Sequence, residues 1–173
     1  MSRVRSLLSR DQNFTILIAL TLVVYVVLVP MLGGRFVSEA NFQSMAVQMA
    51  EFGLLALAMG LAMLTGGIDL SIVSAAVLSA VVGSMFMRGD FIAITESNQG
   101  TVMALGIVAM LVTGIVTGLV NGTLISKFSV PPILATLGTY IFFTGVSTVV
   151  TEARAVSVVV PEFSKIATAT VAD

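Results

Sequence analysis

Three groups of polar residues stand out in an otherwise apolar chain. Asp69 is the only charged residue between Phe52 and Met87, and it follows two glycines in the stretch LTGGIDLS, residues 64–71. A carboxylate at bilayer depth costs about 2.5–3.5 kcal/mol on insertion scales, so it must face protein or water. It could bind a proton or a cation, line a solute path, or cap a helix. Glu51 follows Gln48 and Ser44 at spacings of three and four, which puts the three on one helical face. Asn121 follows Thr113 and Thr117 at spacings of four and offers both a donor and an acceptor to a polar solute or to a neighbouring helix. Gln48, Glu51, Asp69 and Asn121 are therefore the candidates for lining a substrate pathway.

The composition narrows the chemistry. There is no Cys and no His, which removes disulfides, thiolate chemistry, zinc-type sites and His-based catalysis. No G-x-x-x-x-G-K-[ST] run occurs, so the chain carries no P-loop of its own. No enzyme activity, metal or cofactor is expected. Net charge is −1, which offers nothing to nucleic acid. Of the 173 residues, 57% are hydrophobic and only 10% charged, whereas soluble domains carry about 25% charge. Such a chain cannot cover itself with a water-compatible surface, and its partner is the lipid bilayer.

The elements that position these residues are apolar runs of membrane-crossing length. The fold class expected is all-α, a polytopic transmembrane helix bundle forming a single transmembrane domain over residues 1–173. The first run, residues 14–32, would be about 28 Å of helix against a hydrocarbon core of ~30 Å. Arg3, Arg5 and Arg10 precede it, so residues 1–11 are expected in the cytoplasm by the positive-inside rule. Further spans are expected over about 41–65, 70–87, 101–126 and 133–151. A straight helix over 41–87 would be about 70 Å long, more than twice the bilayer. The chain must break, and Gly66 and Gly67 are the cheapest place. Asp69 is then placed to cap the helix that restarts. With five spans, the loops at 33–40 and 88–100 and the segment 152–173 fall outside, and Lys127 falls inside.

Other residues speak to packing. Gly114, Gly118 and Gly122 form G-x-x-x-G-x-x-x-G, a groove that another helix backbone can approach. Pro131 and Pro132 lack N–H donors and stiffen the start of the fifth span.

Two longer stretches carry a resemblance. Residues 51–84, EFGLLALAMGLAMLTGGIDLSIVSAAVLSAVVGS, and 118–151, GLVNGTLISKFSVPPILATLGTYIFFTGVSTVVT, resemble the permease subunits of sugar-type ABC importers, the ribose, xylose and autoinducer-2 group. TGGIDLS and VNGxLIxKxxxPPxxATLGT are the patterns that carry it. The resemblance implies an inner-membrane, multi-pass permease of about ten helices, of which this chain holds the N-terminal half. It implies a cytoplasmic ATP-binding subunit, a second permease subunit as homo- or heterodimer, and a periplasmic substrate-binding protein. It implies a sugar or related small polar solute. Nucleosides or branched-chain amino acids, an ion-coupled carrier and a truncated, non-transporting fragment remain open alternatives. Alternating access would move helices about turns such as Gly66-Gly67. The chain departs from the family's GGRP-like pattern at 152–155, which reads EARA.

Overall fold

The computed structural model describes residues 12–156, 160 and 163. The arginine-bearing segment 1–11 and most of 152–173, with the topology expected of them, lie outside the described residues. Among the described residues there are five α-helices: α1 Gln12–Leu32, α2 Glu39–Leu64, α3 Ile72–Arg88, α4 Gln99–Ser126 and α5 Pro132–Val150. The chain divides into two compact units, residues 1–54 and 55–173.

The first unit holds α1 and the beginning of α2. A short 3-10 turn, Gly33–Arg35, follows α1. Gly33 takes φ +61° there, a conformation that favours glycine. Tyr25 and Phe36 pack edge to face with ring centroids 5.1 Å apart. Ser38 starts α2 as its side-chain oxygen accepts the Asn41 N–H at 3.3 Å. The polar face expected on α2 is present: Gln48 Nε2 donates to Ser44 Oγ at 3.1 Å, and Ser44, Gln48 and Glu51 are all exposed.

The second unit begins within α2 and contains the break. Helix α2 ends as Gly66 N–H bonds Met63 O and Gly67 N–H bonds Ala62 O. These are the two bonds of a Schellman cap, with Gly66 in the left-handed conformation at φ +84°. Residues 65–71 are non-helical and α3 starts at Ile72. The α3 C-terminus ends the same way on Gly89, with Gly89 N–H to Phe86 O and Asp90 N–H to Met85 O. Pro132 opens α5 at a position where its missing N–H costs no helical bond.

Helices α3 and α4 run antiparallel. Their crossing lies at Gly83 and Gly106, late in α3 and early in α4. A Cβ on Gly83 would collide with Met110 and come within 2.8 Å of Gly106 O; one on Gly106 would come within 3.0 Å of Gly83 O. Helix α5 packs against α3 and starts at the same end. A small apolar core of Met87, Val102 and Val160 sits by the α3 C-terminus, flanked by Ile94, Met103, Met110 and Phe163.

Two features refine the expected helix set. Four helices, α1, α2, α4 and α5, are long and apolar enough to cross a membrane, but α3 has 17 residues. That is about 26 Å, not too short for a hydrocarbon core that takes about 17–25 helical residues, and its start lies two residues beyond the expected one because the break extends to Ser71. The close helix approach within this chain is also not at the glycine stripe. A Cβ on Gly118 or Gly122 would meet open space, and one on Gly114 would meet only Ser79 Oγ at 3.7 Å. Gly114 and Gly118 border a groove beside α3, while the adjoining face, with Thr117 and Asn121, is the one buried.

Candidate functional site

Asp69, Ser71, Asn121 and Thr139 form one directional hydrogen-bond chain. Thr139 Oγ1 donates to Asn121 Oδ1 at 2.7 Å, Asn121 Nδ2 donates to Ser71 Oγ at 2.6 Å, and Ser71 Oγ donates to Asp69 Oδ1 at 2.7 Å. Asp69 Oδ1 also accepts the Ser71 backbone N–H at 2.8 Å. Every donor points toward the carboxylate, so each bond polarises the next. Ser71 is 1% exposed, Asn121 5% and Thr139 7%. At such burial an unpaired amide or hydroxyl would be costly, and here each is paired.

The local sequence explains the positions. The glycine pair lets the backbone turn, and Asp69 closes a short turn onto the residue two ahead of it, as Asp side chains do. The helix itself begins one residue later, with Ser71 making no side-chain cap bond to it. Asp69 thus holds the turn before α3 rather than a free N–H inside it. Thr136 ties the same segment to α5: its Oγ1 accepts the Leu70 N–H at 3.1 Å, and its proton goes to Pro132 O at 2.8 Å or Ile68 O at 3.2 Å. Gly67 sits against Pro132, where an added Cβ would lie 3.1 Å from the proline Cβ and 3.2 Å from its Cγ. Of the diglycine, Gly66 supplies the left-handed turn and Gly67 the close approach.

Of the four pathway candidates, the structure joins Asp69 and Asn121 through Ser71. Gln48 and Glu51 belong to the first unit and lie exposed on α2. Ser71, Thr136 and Thr139 were missed by reading the sequence for charge. A signal for them was present: all three fall inside the two patterns TGGIDLS and ATLGT, which meet in space through Asn121.

Asp69 also borders a groove of about 270 Å³ shared with Leu55, Ala75, Ser79, Gly114 and Gly118. A larger cleft of about 710 Å³ lies between α3 and α5. Hydroxyl side chains run along it, including Ser74, Ser84, Tyr140, Thr144, Ser147, Thr148 and Thr151, among Val73, Val77 and Val81. Ser84, Ser147, Thr148 and Thr151 each donate to a carbonyl of their own helix. Their oxygens keep lone pairs for an incoming donor. Arg154 stands at one end, paired with Glu152 at 3.0 Å, and no carboxylate lines the cleft among the described residues. The segment beneath Arg154 is strained: Glu152 and Ala153 take φ +52° and +56°.

Comparison with known proteins gives these features a context. Residues 41–172 match the family described as the permease component of the branched-chain amino acid transport system. The chain is 31% identical over 143 residues to the fructose import permease protein FruG of Bifidobacterium longum, covering 83% of this chain and 39% of that protein. It is 33% identical over 123 residues to the fructose import permease protein FrcC of Rhizobium meliloti, covering 71% and 31%. It is 33% identical over 139 residues to the ribose import permease protein RbsC of Bacillus subtilis, covering 80% and 40%. The chain thus spans well under half the length of these relatives. No solved structure matches. With most of the chain inside the match and a polytopic apolar helix set to carry it, this is a multi-pass membrane protein belonging to the permease family of ABC import systems.

Proposed function

We propose that the chain forms part of the transmembrane pathway of an ABC importer for a neutral, hydroxyl-rich solute of the sugar class. The observation that carries this reading is the cleft between α3 and α5. Its volume, about 710 Å³, lies in the range of small-molecule sites. Its lining offers hydroxyl acceptors, an apolar wall and, among the described residues, no carboxylate. A neutral polyol can exchange hydrogen bonds with such a wall without leaving a buried charge. An amino acid would need counter-charges for both its ammonium and its carboxylate, and among the described lining residues only Arg154 is charged. The names of the relatives, fructose and ribose import permeases, point the same way.

In this reading the protein lies in the inner membrane with its N-terminus in the cytoplasm. The break at 65–71 and Lys127 face the cytoplasm, and Arg154 faces the outside. Energy comes from a separate ATP-binding subunit, a binding protein delivers the solute, and a second permease subunit completes the path. Tyr140, Thr144 and Thr148 contact the solute, while Gln48 and Glu51 on α2 line a second wetted face. Asn121 braces the path rather than touching the solute.

Reconstitution with the ATP-binding and solute-binding proteins of a sugar-type ABC importer tests this. Expected is ATP-dependent uptake of a labelled sugar into vesicles, weakened several-fold by Thr144→Val with Tyr140→Phe. Uptake that continues without ATP and collapses when an ion gradient is dissipated would instead establish an ion-coupled carrier.

A further inference from the structure

We propose that the diglycine break is a fixed joint, latched to α4 and α5, and that residues 66–71 travel with those helices as one body. A glycine pair between two helices invites the opposite reading, a hinge. The bonds argue against it. Gly66 and Gly67 donate to Met63 O and Ala62 O. Leu70 N–H goes to Thr136 on α5, and Ser71 N–H to Asp69. Ser71 Oγ is held from α4 by Asn121, whose own oxygen is held from α5 by Thr139. Gly67 has Pro132 against it with no room for a methyl group.

A hinge needs backbone groups that can exchange partners cheaply as φ and ψ change. Here two of the partners, Thr136 of α5 for the Leu70 N–H and Asn121 of α4 for Ser71 Oγ, come from other helices and are 1% and 5% exposed. Turning the segment would strip several buried groups at once, each costing about 1–3 kcal/mol when left unpaired. Gly66 and Gly67 are therefore glycines for shape, one for a left-handed turn and one for contact. The fastening is a property of the chain itself; only its consequence for solute movement rests on the transport reading. If the path opens and closes, it does so by displacement of this body as a whole.

The chain has no cysteine, so two can be placed without background. Leu70 and Ile133 are 40% and 51% exposed, on the break and on α5. Spin labels at Leu70→Cys and Ile133→Cys, read by pulsed electron resonance in lipid nanodiscs, measure the joint directly. A single narrow distance is expected in the chain alone, unchanged when the ATP-binding subunit is added and trapped with a nucleotide analogue. Asn121→Ala should broaden it. A broad distribution in the parent chain, a shift on nucleotide trapping, or a narrow distribution surviving Asn121→Ala would each overturn the latch. Sugar uptake by the same preparation reports separately on the transport reading, and its absence leaves the measurement on the chain alone to decide the latch.

Discussion

Asn121 Nδ2 lies 2.6 Å from Ser71 Oγ, a buried bond that joins α4 to the break fifty residues earlier in the chain. It converts two separate sequence patterns into one structural unit. The serine passes its proton on to Asp69, and the asparagine takes one from Thr139. Removing the amide should therefore be felt at both ends. Asn121→Leu is expected to lower stability by about 1–3 kcal/mol, since it removes two buried hydrogen bonds, leaving Thr139 Oγ1 only the carbonyls of its own helix at 3.2 Å and Ser71 Oγ without its donor. A double-mutant cycle with Thr139→Val, followed by denaturant unfolding in detergent, checks this. Strict additivity of the two losses would mean the bond carries no coupling.

Gly67 and Asp69 should differ sharply in what they tolerate. Gly67→Leu must force its side chain into Pro132, which already stands 3.1 Å from where a Cβ would be. Asp69→Asn keeps an acceptor oxygen for the Ser71 N–H, and Asn serves such turns about as well as Asp. Folded yield at matched expression is expected to collapse for the leucine variant and to change little for the asparagine variant. Equal yields for Gly67→Leu and the parent would remove the close-approach argument.

How far the sequence carries depends on what kind of signal each feature leaves. The break at 65–71 was legible because length alone forbids one helix over 41–87, and a glycine pair marks the cheapest interruption. The long apolar helices were legible for the same reason. Asn121 was legible as an unusual residue but not as a bridge, since its partner depends on the antiparallel register of α3 and α4. The glycine stripe shows the reverse problem. Its spacing announces a groove, yet says nothing about which neighbour fills it, and Thr117 and Asn121 next door take the inward face. The two glycines that do permit the crossing, Gly83 and Gly106, are single residues on different helices and leave no periodic trace.

That contrast is testable. Gly106→Ala places a Cβ 2.6 Å from Met87 Cε and 3.0 Å from Gly83 O. The methionine end can move, but the carbonyl cannot without separating the helices. A loss of about 1–3 kcal/mol is expected, as for other overpacked contacts. Gly118→Ala and Gly122→Ala meet nothing. In the chain alone they should be neutral or gain up to about 1 kcal/mol from helix propensity. Thermal unfolding of the three variants in detergent ranks them; a destabilising Gly118→Ala would show that the stripe is filled within the chain after all.

The last prediction concerns the segment where the chain departs from the family pattern. Glu152 ends α5 in the position a helix cap reserves for glycine: its N–H bonds Val149 O, and the next N–H, from Ala153, bonds Thr148 O. Both residues carry a Cβ at positive φ, +52° and +56°. An L-residue held left-handed costs roughly 1–2 kcal/mol, and glycine there gives part of this back through the greater freedom of its unfolded chain. Ala153→Gly is the cleaner change, because it removes only a methyl group and leaves the Glu152–Arg154 pair in place. A net gain of about 0.5–1 kcal/mol is expected. Glu152→Gly should gain less, since it also removes an ion pair, though at such exposed positions the pair contributes at most about 1 kcal/mol. Unfolding measured on the parent and both glycine variants separates the two contributions: if Ala153→Gly destabilises the protein, the left-handed backbone at the end of α5 is not where the strain lies.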